Sequence, residues 1–188
     1  MDIQKIILTI AQCAPGFLLA ITFHEYAHGR VAKYFGDDTA EREGRLTLNP
    51  AAHIDPMGTV FFPLFLVAIG AGAFGWAKPV PVVTRNLRDV KRAMFWVALA
   101  GPLANFILAI ISAFFFAIIY VLVDSNFQFH KELLEILNYS VLINCVLGAF
   151  NLIPWPGLDG SRVLATFLKG ETLRKYENLG QYTNMVFF

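Results

Sequence analysis

Residues 6–23 read IILTIAQCAPGFLLAITF, eighteen positions without a charge, and run directly into His24-Glu25-Tyr26-Ala27-His28. A helix needs roughly twenty apolar residues to cross a hydrocarbon core. With the turns that follow Phe23 the run reaches that length, so it predicts a membrane helix carrying titratable groups inside the bilayer. The helical pattern continues through Ala32-Lys33-Tyr34-Phe35 and stops at Gly36-Asp37-Asp38, where a glycine followed by two acids breaks it. No small-residue cleavage site separates the apolar run from the charged turns, so it reads as a retained first helix, not a cleaved signal.

The rest of the chain suits the same solvent. Of 188 residues, 56% are hydrophobic and 15% charged, and the mean hydropathy is +0.55, so the charges are too sparse to cover a water-soluble globule of this size. The natural partner is a lipid bilayer. Net charge is +1 and no basic block interleaved with aromatics occurs, which excludes a nucleic-acid groove. Cys13 and Cys145 each lie in an apolar run without CxxC spacing and read as packing residues.

Beyond the first helix, Glu41–Leu48 ends in the alternating Arg45-Leu46-Thr47-Leu48, which favours a short strand or β-hairpin. A second apolar run, Met57–Ala77, is punctuated by Gly58, Pro63, Gly70, Gly72 and Gly75. The third, Ala93–Val123, would be roughly 46 Å long as a helix, more than one crossing needs. Its first part, with Gly101-Pro102-Leu103-Ala104-Asn105, is therefore expected to kink or to lie in the interface. The fourth begins near Leu133 and ends at Ile153, because Pro154 and Pro156 remove backbone donors. Helix resumes over Leu158–Leu168, and Asn184–Phe188 reads as the opening of a further C-terminal helix. No internal repeat or linker divides residues 1–188, so one domain is expected.

Lysine and arginine decide how often this chain crosses, since they stay on the cytoplasmic side of membrane segments. If Met57–Ala77 is re-entrant, thirteen of the fifteen fall on one side and Lys5 and Lys131 on the other; if it spans, the best division is ten to five. The re-entrant arrangement is preferred. The expected fold is an all-α membrane protein with three transmembrane helices, a re-entrant segment and a short hairpin, its charged motif in the cytoplasmic half of the first helix.

His24 and His28 stand at i and i+4, on one helical face, where two imidazoles reach one metal ion. Glu25 lies about 100° round the helix, near enough to address a metal-bound water without being a ligand. Such groups are costly to desolvate and are functional by default inside a membrane. A catalytic zinc usually takes three protein ligands and keeps one position open. His53, His130 and several carboxylates are candidates for the third, and Asp159, directly after a proline-broken apolar helix, is the best placed. His130 reads as a surface histidine. Asn151 or His53 would suit an oxyanion, although Asn151 would equally satisfy carbonyls freed by Pro154, and His53 would equally cap a loop beside Asp55. Asn105 is a weaker candidate, since amides also join membrane helices.

His24–His28 taken with Asn151-Leu152-Ile153-Pro154-Trp155-Pro156-Gly157-Leu158-Asp159-Gly160 resembles the paired HExxH and NxxPxxxLDG signatures of site-2 proteases. Leu48–Thr59, Trp76-Ala77-Lys78-Pro79-Val80-Pro81 and Gly101–Asn105 resemble the compact bacterial branch without PDZ or CBS domains. The resemblance implies one zinc ion per chain held by His24, His28 and Asp159, with Glu25 as catalytic base. It implies an intramembrane zinc metalloprotease of a bacterial inner membrane, its active site open to the cytoplasm. Its substrates would be single-span membrane proteins or signal-peptide remnants. Two other classes use similar residues: a divalent-metal transporter and a non-catalytic scaffold stabilised by metal. Neither needs Glu25 between the histidines.

Overall fold

The computed structural model describes residues 3–70 and 75–187, with backbone alone at 67–68 and 181–187. Three long helices form its frame: α1 (Ile3–Tyr34), and, after the short helices α2 (Thr39–Arg42) and α3 (Phe62–Ala68), α4 (Val90–Leu122) and α5 (His130–Asn151). The short α6 (Asp159–Ala165) and then α7 (Gly170–Phe187) follow. α1, α4 and α5 pack against one another, and α6 packs on α4. All three long helices have the length and hydropathy to cross a membrane.

Their faces are distributed as lipid requires. The buried set includes Gln12, Thr22, His24, Glu25, His28, Asn105, Ser112, Ser140, Asn144 and Asp159, whereas Ile107, Ile110, Phe114 and Leu142 are exposed. Only 17% of the most apolar window of α4 is buried, so most of its apolar surface must meet hydrocarbon. With lipid outside there is no hydrophobic drive to bring helices together, and close backbone approach with interhelical hydrogen bonds takes its place. Gly16 shows the approach: a Cβ there would lie 2.9 Å from the Cα of Ser140. Gln12 also bonds Glu135 across the α1–α5 contact.

Local chemistry sets the ends of the elements. Gly36, at φ +106°, reverses the chain after α1, a conformation that costs other residues a Cβ clash. Asp89 caps α4 by accepting from the Arg92 amide at 3.1 Å. α5 stops at Asn151 ahead of Pro154, and the chain turns back through Gly157 at φ +101° into α6.

Several expectations need correction. Among the described residues there is no strand, so no hairpin forms. Thr39–Arg42 is a helical turn, and the Arg45–Leu48 alternation instead aims Arg45 at the carbonyls of Lys78 and Pro79. α4 is one unbroken helix of 33 residues with Pro102 inside it. The last helix starts at Gly170, well before Asn184. Of Met57–Ala77, residues 71–74, Gly72 among them, lie outside the described residues; its two ends meet, the Trp76 amide donating to Gly58 O at 3.1 Å and Thr59 Oγ1 to Trp76 O at 2.8 Å. From Gly75 to Val83 the chain is non-helical and passes beside α1.

Candidate metal centre

Two elements distant in sequence deliver the three candidate ligands. α1 presents His24 and His28 one turn apart, and α6 presents Asp159 from its first turn. Gly160 allows that delivery, because a Cβ there would sit 2.2 Å from Leu152 O and block α6 from folding against the end of α5. His24 Nε2 and His28 Nε2 are 3.0 Å apart, and each stands near Asp159 Oδ2, at 3.1 and 3.2 Å. On a tetrahedral zinc with bonds of about 2.0–2.1 Å, two ligand atoms stand roughly 3.3 Å apart. The three separations are close to that edge length. This is the one such group of potential ligands among the described residues.

The hydrogen bonds behind the imidazoles determine where their protons are. Asn144 Nδ2 donates to the backbone carbonyl of Ser140 at 2.9 Å, which leaves Asn144 Oδ1 to accept from Asn105 Nδ2 at 3.0 Å. Asn105 Nδ2 also donates to Ala20 O at 3.1 Å, so Asn105 Oδ1 is the atom facing His24 Nδ1 at 2.7 Å. An amide oxygen only accepts; His24 must carry its proton on Nδ1. His28 Nδ1 meets the Val97 carbonyl at 2.6 Å and is protonated for the same reason. In the neutral rings both Nε2 lone pairs therefore point at Asp159 Oδ2, a buried oxygen with no hydrogen-bond donor. Three acceptors converging in a buried place without a proton between them need a cation. Gly101 keeps the space clear, since a Cβ on it would lie 2.4 Å from His28 Nε2 and 2.7 Å from His24 Cε1.

Glu25 is buried beside this group and accepts the Val80 amide on Oε2 at 2.7 Å. The segment supplying that amide is held at both ends. Lys78 N donates to His53 O at 2.9 Å. Further on, Asp37 accepts from Val83 N at 2.6 Å and Asn86 Nδ2 at 2.9 Å. Burial alone would raise the Asp37 pKa, but these bonds and those from Thr39 outweigh it and hold the carboxyl below its ordinary value.

The structure thus brings together His24, His28, Asp159 and Glu25, with Asn105 touching His24 from behind. Asn105 has no place on an oxyanion: both ends of its amide are taken up by α1 and α5. His53 is fully buried with Nε2 on Thr47 O at 2.8 Å, so it braces the turn before Asp55. Asp55 itself caps the next segment through Met57 N and Gly58 N. Asn151 is half-buried, its Nδ2 on Leu147 O of its own helix at 3.0 Å. His130 opens α5, far along the chain's other end of the bundle from α6. Sequence reading missed Asn144, although an amide in an apolar helix was a signal. It also missed the Val80 amide and the Val97 carbonyl, which as backbone atoms leave no residue-type signal.

A sequence profile of peptidase family M50 matches residues 12–188. YwhC of Bacillus subtilis (strain 168), named a zinc metalloprotease, is 39% identical over 90% of this chain and 75% of its own length. Rip2 proteins of Mycolicibacterium smegmatis and Mycobacterium tuberculosis, named likewise, are 32% and 31% identical over 85% of this chain, which spans 58% of their length. No solved structure matches the chain.

Proposed function

The chain belongs to peptidase family M50, the site-2 protease family, and from that premise we propose that it cleaves peptide bonds at membrane depth in single-span proteins or signal-peptide remnants. It is an integral membrane zinc metalloprotease. In our reading His24, His28 and Asp159 hold one zinc ion. Zinc bound there supplies a Lewis acid that acidifies water and polarises a peptide carbonyl. Glu25 is the general base: Oε2 is engaged by Val80, so Oε1 takes the proton of the attacking water and passes it to the leaving amine. His24 and His28 keep their protons on Nδ1 throughout, held by Asn105 and Val97. Asn151, half-buried at the end of α5, has an amide proton beyond the one on Leu147 O and is the donor we assign to the oxyanion.

Placement in the membrane follows from the same elements. Met57–Ala77 dips into the bilayer and returns, which leaves Lys5 and Lys131 opposite the other cations and opens the site to the cytoplasm of a bacterial cell. From His24 to the end of α1 at Tyr34 is roughly 15 Å along the helix, so water must enter through the non-helical side at Gly75–Val83.

The observation that carries this reading is the convergence of two imidazole lone pairs and an undonated carboxylate oxygen. It is tested by metal analysis of purified protein together with cleavage of fluorogenic single-span transmembrane peptides. His24→Ala, His28→Ala and Asp159→Ala are each expected to lose both zinc and cleavage, and Glu25→Gln to lose cleavage while keeping one zinc per chain. Stoichiometric zinc with wild-type turnover in Asp159→Ala would rule the assignment out.

A further inference from the structure

Glu25 is oriented by a single backbone donor, and a distant cation grips the other end of the same peptide plane. Val80 stands between Pro79 and Pro81, neither of which has an amide proton, so its N–H is the one donor that Pro79-Val80-Pro81 can offer. It goes to Glu25 Oε2 at 2.7 Å. The Pro79 carbonyl and the Val80 N–H belong to one planar unit, and no cis peptide bond occurs among the described residues. In a trans unit the two point in opposite directions. Arg45 Nη2 donates to that Pro79 carbonyl at 3.1 Å and to the preceding Lys78 carbonyl at 2.8 Å.

We propose that Arg45 is a positioning residue for Glu25, acting through the Pro79–Val80 peptide plane. A rigid plane held at its oxygen cannot swing its N–H away from the carboxylate without breaking the Arg45 contact. Because Arg45 grips two successive carbonyls, rotation about the intervening Pro79 backbone, already restricted by its ring, is blocked as well. The guanidinium also polarises the peptide: a cation on the oxygen makes the N–H a stronger donor to Glu25. Lys78 N on His53 O completes the grip, so the strap is fixed just before the plane that matters. None of these atoms belongs to the metal-binding trio, so the device orients the base without bearing on the ligands. Arg45 lies outside the membrane-spanning helices, in the stretch where alternation pointed to a short strand or hairpin, and its side chain instead holds the Lys78 and Pro79 carbonyls.

This inference rests on the reading of Glu25 as base, and its test separates the two. In Arg45→Gln, the Val80 amide should lose hydrogen-exchange protection by about tenfold or more, with or without zinc, a readout that does not involve catalysis. With fluorogenic transmembrane peptide as probe, kcat should fall about tenfold with KM and zinc content unchanged, since displacing a reacting group by an ångström costs on that order or more. Combined with Val80→Pro, which deletes the donor itself, Arg45→Gln should add no further loss. Unchanged Val80 protection, or losses that multiply in the double variant, overturns the proposal even if Glu25 is the base. Altered protection with cleavage surviving in Glu25→Gln would instead overturn the reading of Glu25 and leave the strap standing.

Discussion

The two halves of the site are built by different means. His24 and His28 are supported by helix against helix: α4 contributes Asn105, Val97 and the bare Gly101, and α5 contributes Asn144 behind Asn105. Glu25, one residue from His24 on the same helix, is supported by non-helical chain whose backbone donates to it and whose anchors are Asp37, Arg45 and His53. Inside a helix the backbone donors are committed, so the histidines are held by acceptors: the Asn105 side-chain oxygen for His24 and the second lone pair of the Val97 carbonyl for His28. An extended segment keeps its donors free, so one can be aimed at a carboxylate. On the assignment proposed above, metal affinity and base orientation should be separable: damage to the bundle should move zinc, and damage to the strap should move turnover alone.

The largest effect expected on the bundle side comes from Gly101→Ala. Alanine is the better helix former by about 1 kcal/mol, so α4 should keep its helicity. Its Cβ would nonetheless occupy space 2.4 Å from His28 Nε2. Zinc content by mass spectrometry should fall below about a tenth of wild type, with cleavage lost alongside; full zinc in this variant would break the contrast between the halves.

Asn105→Ala should act less severely. It removes the acceptor that fixes the His24 tautomer and leaves Asn144 Oδ1 without its donor. Zinc affinity is expected to weaken about 10- to 100-fold, measured by chelator competition, with most activity restored at saturating zinc. A drop in kcat at full zinc loading would show that the two halves are not independent.

Asp37 offers the smallest and a pH-dependent effect on the strap. Its carboxyl is held below its ordinary pKa by bonds from Thr39, Val83 and Asn86. A depressed folded pKa means that its stabilisation is complete above the unfolded value, about 4, and is lost as pH falls through the folded one. Exchange protection of Val83 should accordingly stay constant from neutral pH down to about 4 and decline only below it. Asp37→Asn should lower that protection already at pH 7, by about 1–2 kcal/mol, with zinc retained.

How much of this was readable beforehand differs between the halves as well. The three spanning helices, the i,i+4 histidines and the break at Pro154 were legible because each is a local periodicity or a property of one residue type. Asp159 stood out because a lone carboxylate at that depth is costly. The Arg45–Leu48 alternation misled, because period-two patterning also describes an irregular segment that turns one long side chain inward to a neighbouring backbone.

By itself, then, the sequence determined the solvent, the number of long helices and the residue types able to bind a metal, since hydropathy, spacing and side-chain chemistry are carried by each short stretch alone. Only the tertiary structure decided that Asn105 faces His24 and not a substrate, that Gly101 leaves room beside the histidines, and that Val80 supplies the donor to Glu25. Those outcomes depend on backbone atoms, which every residue presents alike, and on which helix surfaces come within hydrogen-bonding distance once the chain has packed.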